Sequence, residues 1–76
     1  MITVKLYGLL RIESGIKEKE LEANSVKEVL EQLASCGIDR KDLNGCVILI
    51  NGNNANRKSK LTDGDTVVLM SPVAGG

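Results

Sequence analysis

The chain opens on an alternation, with Ile2, Val4 and Leu6 set against Thr3, Lys5 and Tyr7. A period of two turns one set toward a core and the other to the opposite face of a strand. Gly8 closes the strand. After a turn at Ser14-Gly15, the run Ile16-Lys17-Glu18-Lys19-Glu20-Leu21-Glu22 is mostly charged, which suits a strand at a sheet edge, where lysine and glutamate discourage further pairing. Together the two runs predict an N-terminal hairpin.

The period then changes. Val26, Val29, Leu30, Leu33 and Ala34 recur at helical spacing and form one apolar stripe of an amphipathic helix. Ser25 followed by Glu28 predicts a capping box, with the hydroxyl accepting from a helix N–H and the carboxylate returning to the cap's own N–H. At the other end, Gly37 predicts a left-handed closure that brings Ile38 onto Leu33. Residues 39–43 read as a loose helical turn, and Asn44-Gly45 leads into Cys46-Val47-Ile48-Leu49-Ile50, an apolar run that predicts a strand covered on both faces. Asn51-Gly52 turns the chain, residues 53–60 are polar enough for only a short strand and a loop, and Leu61-Thr62-Asp63-Gly64-Asp65 is a second turn ahead of the last strand, Thr66-Val67-Val68-Leu69-Met70.

The resulting order is ββαβββ, an α+β arrangement in which one helix with one apolar stripe needs one sheet to cover it. That is the pattern of a β-grasp, the ubiquitin-like fold. Its first and last strands are expected side by side and parallel at the centre of a mixed sheet. If Ile48, Ile50, Val67 and Leu69 face the helix, Val47, Leu49, Val68 and Met70 share the opposite face. An apolar group of that size on so small a domain predicts a partner-docking patch, to which methionine adds adaptability.

Composition narrows the function classes. A chain of 76 residues has room for one domain, near the size at which folding buries only about 60% of the surface the unfolded chain exposes. Tyr7 is the single aromatic residue, so the core is aliphatic, which favours a compact binding fold over an enzyme with a deep pocket. Ten basic and ten acidic residues cancel, removing the broad positive field that nucleic-acid binding needs. No apolar stretch is long enough to cross a bilayer or to form a signal core, so no membrane partner is expected and the protein is expected to be cytoplasmic. Cys36 and Cys46 are too far apart for a CxxC motif and the chain has no histidine, so both are read as reduced, half-buried thiols and no metal site is expected.

Most candidate motifs fail on context. Gly52-Asn53-Asn54-Ala55-Asn56-Arg57-Lys58-Ser59 is spaced like a phosphate-binding loop, but Arg57 stands where the second glycine is needed and a turn follows instead of a helix. Arg57, Lys58 and Lys60 read as a solvated loop, and Glu18, Glu20 and Glu22 as solubilising charges on a strand. What remains is Ser71-Pro72-Val73-Ala74-Gly75-Gly76. The expected organisation is a single domain over residues 1–76 with a flexible C-terminal tail from about residue 71. Pro72 stops the strand, and Gly75-Gly76, without β-carbons, lets the backbone enter a narrow channel. An α-carboxyl with a reference pKa of about 3.5 is an oxyanion at neutral pH, able to attack the α-phosphate of ATP. The acyl-adenylate so formed is open to sulfur or amine nucleophiles.

Leu61-Thr62-Asp63-Gly64-Asp65-Thr66-Val67 and Pro72-Val73-Ala74-Gly75-Gly76, with Asn51 closing the third strand, resemble the Leu-x-Asp-Gly-Asp-x-Val turn and Pro-Val-x-Gly-Gly tail of the ubiquitin-like sulfur carriers, in particular the small subunit of molybdopterin synthase. The resemblance extends over essentially the whole chain. It implies a protein co-substrate without an active site of its own, neither an enzyme nor the holder of a cofactor. Gly76 would be adenylated by an activating enzyme related to the ubiquitin E1, which uses ATP, and converted to a thiocarboxylate with sulfur from a donor protein. Pro72, Val73, Ala74, Gly75 and Gly76 would then be inserted into the larger synthase subunit, where the sulfur passes to precursor Z on the way to the molybdenum or tungsten cofactor. The sequence departs from the family where an aromatic pair and Pro-Pro commonly precede the tail, having Leu69-Met70-Ser71-Pro72 instead, which points to a different partner surface. Thiamine-pathway carriers share the Asp-Gly-Asp turn and Gly-Gly end but usually lack the Pro-Val step. A ubiquitin-like modifier conjugated through Gly76 and a non-covalent β-grasp adaptor are the other readings.

Overall fold

The computed structural model describes residues 1–71. Strand β1 (Ile2–Gly8) and strand β5 (Thr66–Ser71) run parallel at the centre, in a register from Thr3 opposite Thr66 to Gly8 opposite Ser71. β2 (Glu18–Leu21) pairs antiparallel with the outer side of β1, β3 (Val47–Ile50) antiparallel with β5, and β4 (Asn53–Ala55) forms the far edge. The five-stranded order is therefore β2-β1-β5-β3-β4, the mixed β-grasp sheet that the sequence predicts.

Helix α2 (Val26–Ser35) covers one face of this sheet. Its buried stripe of Val26, Val29, Leu30 and Leu33 meets Ile2, Val4 and Leu6 of β1, Ile48 of β3, and Val67 and Leu69 of β5 in one aliphatic core. Burying each such side chain stabilises the fold by about 1.5–3 kcal/mol relative to leaving it exposed. The C-terminal end of the helix closes as the sequence predicts, and at the N-terminal end the Ser25 hydroxyl accepts as expected while the Glu28 carboxylate faces that hydroxyl instead of the Ser25 N–H. Gly37, at φ 100°, donates to the Ala34 carbonyl and Ile38 donates to the Leu33 carbonyl, the paired bonds of a Schellman closure. At the start, the N–H groups of Val26, Lys27 and Glu28 donate to the Ser59 carbonyl, the Arg57 carbonyl and the Ser25 hydroxyl, so the first turn is satisfied. The Glu28 carboxylate lies 3.4 Å from the same hydroxyl.

Those bonds also explain why residues 52–59 form no phosphate loop. The loop turns carbonyls, not N–H groups, toward the helix, and its own Asn56, Lys58 and Ser59 N–H groups are used within it. Asn51 (φ 50°) and Gly52 (φ 85°) take the two left-handed positions of a type I′ hairpin turn.

Three sequence expectations are corrected. Residues 9–14, passed over between strand and turn, form helix α1 (Leu9–Ser14), which buries Leu10 in the core; with α3 (Arg40–Asn44), the firm version of the expected loose turn, three helices stand among the described residues. The third strand is covered on one face only, because α2 and the aliphatic core lie on the face that carries Ile48, and Val47 on the opposite face is exposed. Cys36 is exposed and not half-buried, following the last turn of α2 with the Lys19 ammonium donating to its sulfur at 3.2 Å. Cys46 is the half-buried thiol, donating to the Leu43 carbonyl, and burial pushes its pKa up. No helix among the described residues is long and apolar enough to cross a membrane.

Candidate functional site

The five tail residues Pro72, Val73, Ala74, Gly75 and Gly76, among them the expected point of covalent modification, lie outside the described residues. The structure defines instead the ground from which the tail leaves and the surface beside it. Ser71, expected to open the tail, is the last residue of β5 and is buried, at 5% exposure.

Strand alternation turns Ser71 toward the helix side of the sheet, as it does Leu69 and Val67. There its hydroxyl accepts from the Leu10 N–H at 3.1 Å. Leu10 sits in the first turn of α1, where backbone N–H groups have no partner within the helix. The residue before that helix, Gly8, carries no side chain to cap it. The backbone at Gly8 is left-handed at φ 67°, and a β-carbon there would stand 2.1 Å from the Ser71 carbonyl oxygen. Glycine is thus required for the two central strands to approach at this point. α1 is closed at its far end by Gly15, which donates to the Arg11 carbonyl, and by the Ser14 hydroxyl, which donates to the Leu10 carbonyl and accepts from Ile16 N–H.

On the other face of the sheet, β3 and β5 pair Val47 with Met70 and Leu49 with Val68. The four residues of the expected docking patch are therefore brought together as a block, Val47 and Met70 exposed at 49% and 42%, Leu49 and Val68 half-buried. The parallel register with β1 extends that block by two residues that the sequence reading left out. Tyr7 stands opposite Met70, and Lys5 opposite Val68. Tyr7, Met70 and Val47 form one row across three strands at the end where β5 stops, and Tyr7 is 38% exposed. The signal for Tyr7 and Lys5 was the same alternation that gives β1 its buried Ile2, Val4 and Leu6. Beside Tyr7, a hollow of about 400 Å³ is lined by Lys5, Arg11, Lys17 and Glu18.

The Asp-Gly-Asp turn ahead of β5 is itself built from hydrogen bonds. Asp65 accepts from Thr62 N–H and from the Asn51 amide, and both hold its carboxyl below the usual range, the N–H first. Gly64 donates to the Met1 carbonyl and Thr3 to the Asp65 carbonyl, while the N-terminal amine pairs with Asp63. These contacts register β5 against β1 at the start of their parallel run. Among the described residues, no group of three or more histidine, cysteine, aspartate or glutamate side chains is placed to hold a metal ion.

The arrangement of an apolar, cation-flanked face beside a fixed strand end suits protein docking. The ThiS family model matches residues 4–76. No curated protein is significantly similar in sequence. Among solved structures, the chain is similar to one from a complex of subunits 1 and 2 of the molybdopterin-converting factor of Helicobacter pylori, at 28% identity and a TM-score of 0.74 over 99% of this chain and 97% of that one. It is also similar to small archaeal modifier protein 1 of Methanosarcina acetivorans, at 27% identity and a TM-score of 0.79, covering 99% and 95% of the two chains. The fold is shared with a chain from the BexX/CysO complex of Amycolatopsis orientalis, at 21% identity and a TM-score of 0.76 over 100% of both.

Proposed function

Because the chain belongs to the ThiS family, we propose that it is a sulfur carrier, a protein co-substrate with no active site of its own whose Gly76 carboxylate is adenylated and then thiocarboxylated by other enzymes. The observation that carries this reading is the anchoring of Ser71 at the end of the central strand. Gly76 lies five residues further on, an extended reach of about 17 Å, enough to enter a partner's active site while the folded body stays outside.

In the first step a Gly76 carboxylate oxygen bonds to the α-phosphorus of ATP, the bond to the β-phosphate breaks, and pyrophosphate leaves. Hydrosulfide, delivered by a sulfur-donor protein, then bonds to the acyl carbon. The bond to AMP breaks and the S–H proton goes to solvent. Pro72 to Gly76 insert into the larger molybdopterin synthase subunit, and the thiocarboxylate sulfur bonds to an electrophilic carbon of precursor Z as a C–O bond at that carbon breaks and the oxygen leaves with the electron pair. Water cleaves the resulting thioester and returns the Gly76 carboxylate. The pairing of subunits 1 and 2 in the Helicobacter pylori complex and the Pro72-Val73 step support molybdopterin as the destination. ATP is bound by the activating enzyme and not by this chain.

Incubation with an E1-like adenylating enzyme, ATP and sulfide is expected to raise the mass of the protein by the difference between sulfur and oxygen, located at Gly76. Absence of this product together with full function after deletion of Gly76 overturns the reading. A second reading, a protein modifier conjugated through the same glycine, is supported by the similarity to small archaeal modifier protein 1. It predicts tail peptides joined as amides to lysines of other proteins.

A further inference from the structure

The bond between Ser71 and Leu10 spans 61 positions of sequence and joins the last described residue to helix α1, whose Leu10 is buried in the core. Resting on the carrier reading above, we infer that Ser71 is a positioning residue for tail activation: its hydroxyl, seated on α1, fixes the strand end to which the reactive terminus is joined. Three observations converge on this point. The Ser71 side chain is buried and oriented away from the docking face. Its hydroxyl supplies the cap that Gly8 lacks, so α1 and the end of β5 are held by one another. The Ser71 carbonyl packs so closely over Gly8 that no larger residue fits there, which blocks sideways movement of the strand end.

The physical consequence separates two steps of recognition. A carrier meets its activating enzyme through the apolar face, while the reaction depends on where the terminal carboxylate arrives. A displacement of about 1 Å at a reacting group can cost on the order of a hundredfold in rate. Weakening the Ser71 anchor disturbs the second step and leaves the first, because Val47, Leu49, Val68 and Met70 lie on the opposite side of the sheet.

The test is ATP–pyrophosphate exchange with an E1-like adenylating enzyme, using Ser71→Ala, which removes the acceptor, and Ser71→Thr, which keeps a hydroxyl. Ser71→Ala is expected to lower kcat on the order of tenfold with KM unchanged, and Ser71→Thr to restore kcat. Loss of hydrogen-exchange protection at the Leu10 amide, with the rest of the core still protected, shows that the variant has lost this bond and not its fold. Should Ser71→Ala fail to fold, Ser71→Cys fills nearly the same space with a weaker acceptor and is expected to show the same loss of kcat. Wild-type kcat in a folded Ser71→Ala or Ser71→Cys protein overturns this inference and leaves the carrier reading standing. A wild-type protein that no E1-like enzyme activates overturns both.

Discussion

The side chain of Asn51 bridges two strands by clasping Asp65, donating to its carboxylate at 2.9 Å while accepting from the Thr66 N–H at 3.0 Å. The Asn51 backbone N–H completes the clasp by donating to the Thr66 carbonyl. One residue thus ends β3 in a left-handed turn and starts β5 in register. Because its partners hold the Asp65 carboxyl below the usual range, the carboxylate form stabilises the fold. That contribution is present above the ordinary carboxylate pKa and is lost as pH falls through the lowered value. Acid unfolding followed by circular dichroism is expected to show this component in the wild type and not in Asp65→Asn. Asn51→Ala, which loses both side-chain bonds of the clasp, is expected to lower Tm at neutral pH and to remove most of the Asp65 component from the acid transition.

Glu13 behaves in the opposite sense. Its carboxyl faces that of Asp42 across α1 and α3, and Asp42, by favouring the protonated form through hydrogen bonding and then by like charge, raises its pKa, with partial desolvation and Asp39 adding less. Ionisation therefore opposes folding above the ordinary carboxylate pKa, and stability returns as pH falls through the raised value. Glu13→Gln is expected to raise Tm at neutral pH, with the gain disappearing in acid. A scanning-calorimetry series over pH checks both the sign and the range.

Much of the fold is written locally. The two-residue period of β1, the stripe and C-terminal closure of α2, and the Asn51-Gly52 turn each carry their instruction within a few neighbouring residues, and each forms as expected, whereas the first turn of α2 is completed by the distant Ser59 and Arg57 carbonyls. α1 does not, for two reasons. Its six residues are too few for a helical period to stand out, and its cap is a serine 61 positions away that no local pattern reveals. Strand β3 misleads because its outward side chains are as apolar as its inward ones, so composition alone reads as burial on both faces. The same alternation that was applied to Val47, Leu49, Val68 and Met70 also places Tyr7 and Lys5 beside them. Joining them needed the parallel register of β1 and β5.

If α1 is part of the core and not an ornament on the loop, truncating its buried residue has a core-sized effect. Leu10→Ala is expected to destabilise the protein by about 2–5 kcal/mol, comparable to Leu33→Ala, since both side chains are fully buried. Urea denaturation of the two variants side by side measures this. A loss below about 1 kcal/mol at Leu10 would place α1 outside the cooperative unit.

The open face makes a separable prediction. Met70 lies between Val47 and Tyr7, with all three exposed, so Met70→Asp is expected to leave Tm nearly unchanged. In the centre of an apolar contact, a buried unpaired carboxylate costs 2 kcal/mol or more, or about thirtyfold in affinity. Calorimetric titration of the variant with the E1-like enzyme or the larger synthase subunit reads that loss directly.

The central pair of parallel strands has a mechanical meaning. A force applied at the C-terminal end of the described chain acts along β5, which is held by ladders to β1 on one side and β3 on the other. Such a load runs along the strand and across its hydrogen bonds, so many bonds share it at once and none is peeled open first. On the carrier reading proposed above, a handle built this way resists being unravelled from its C-terminal end each time it is withdrawn.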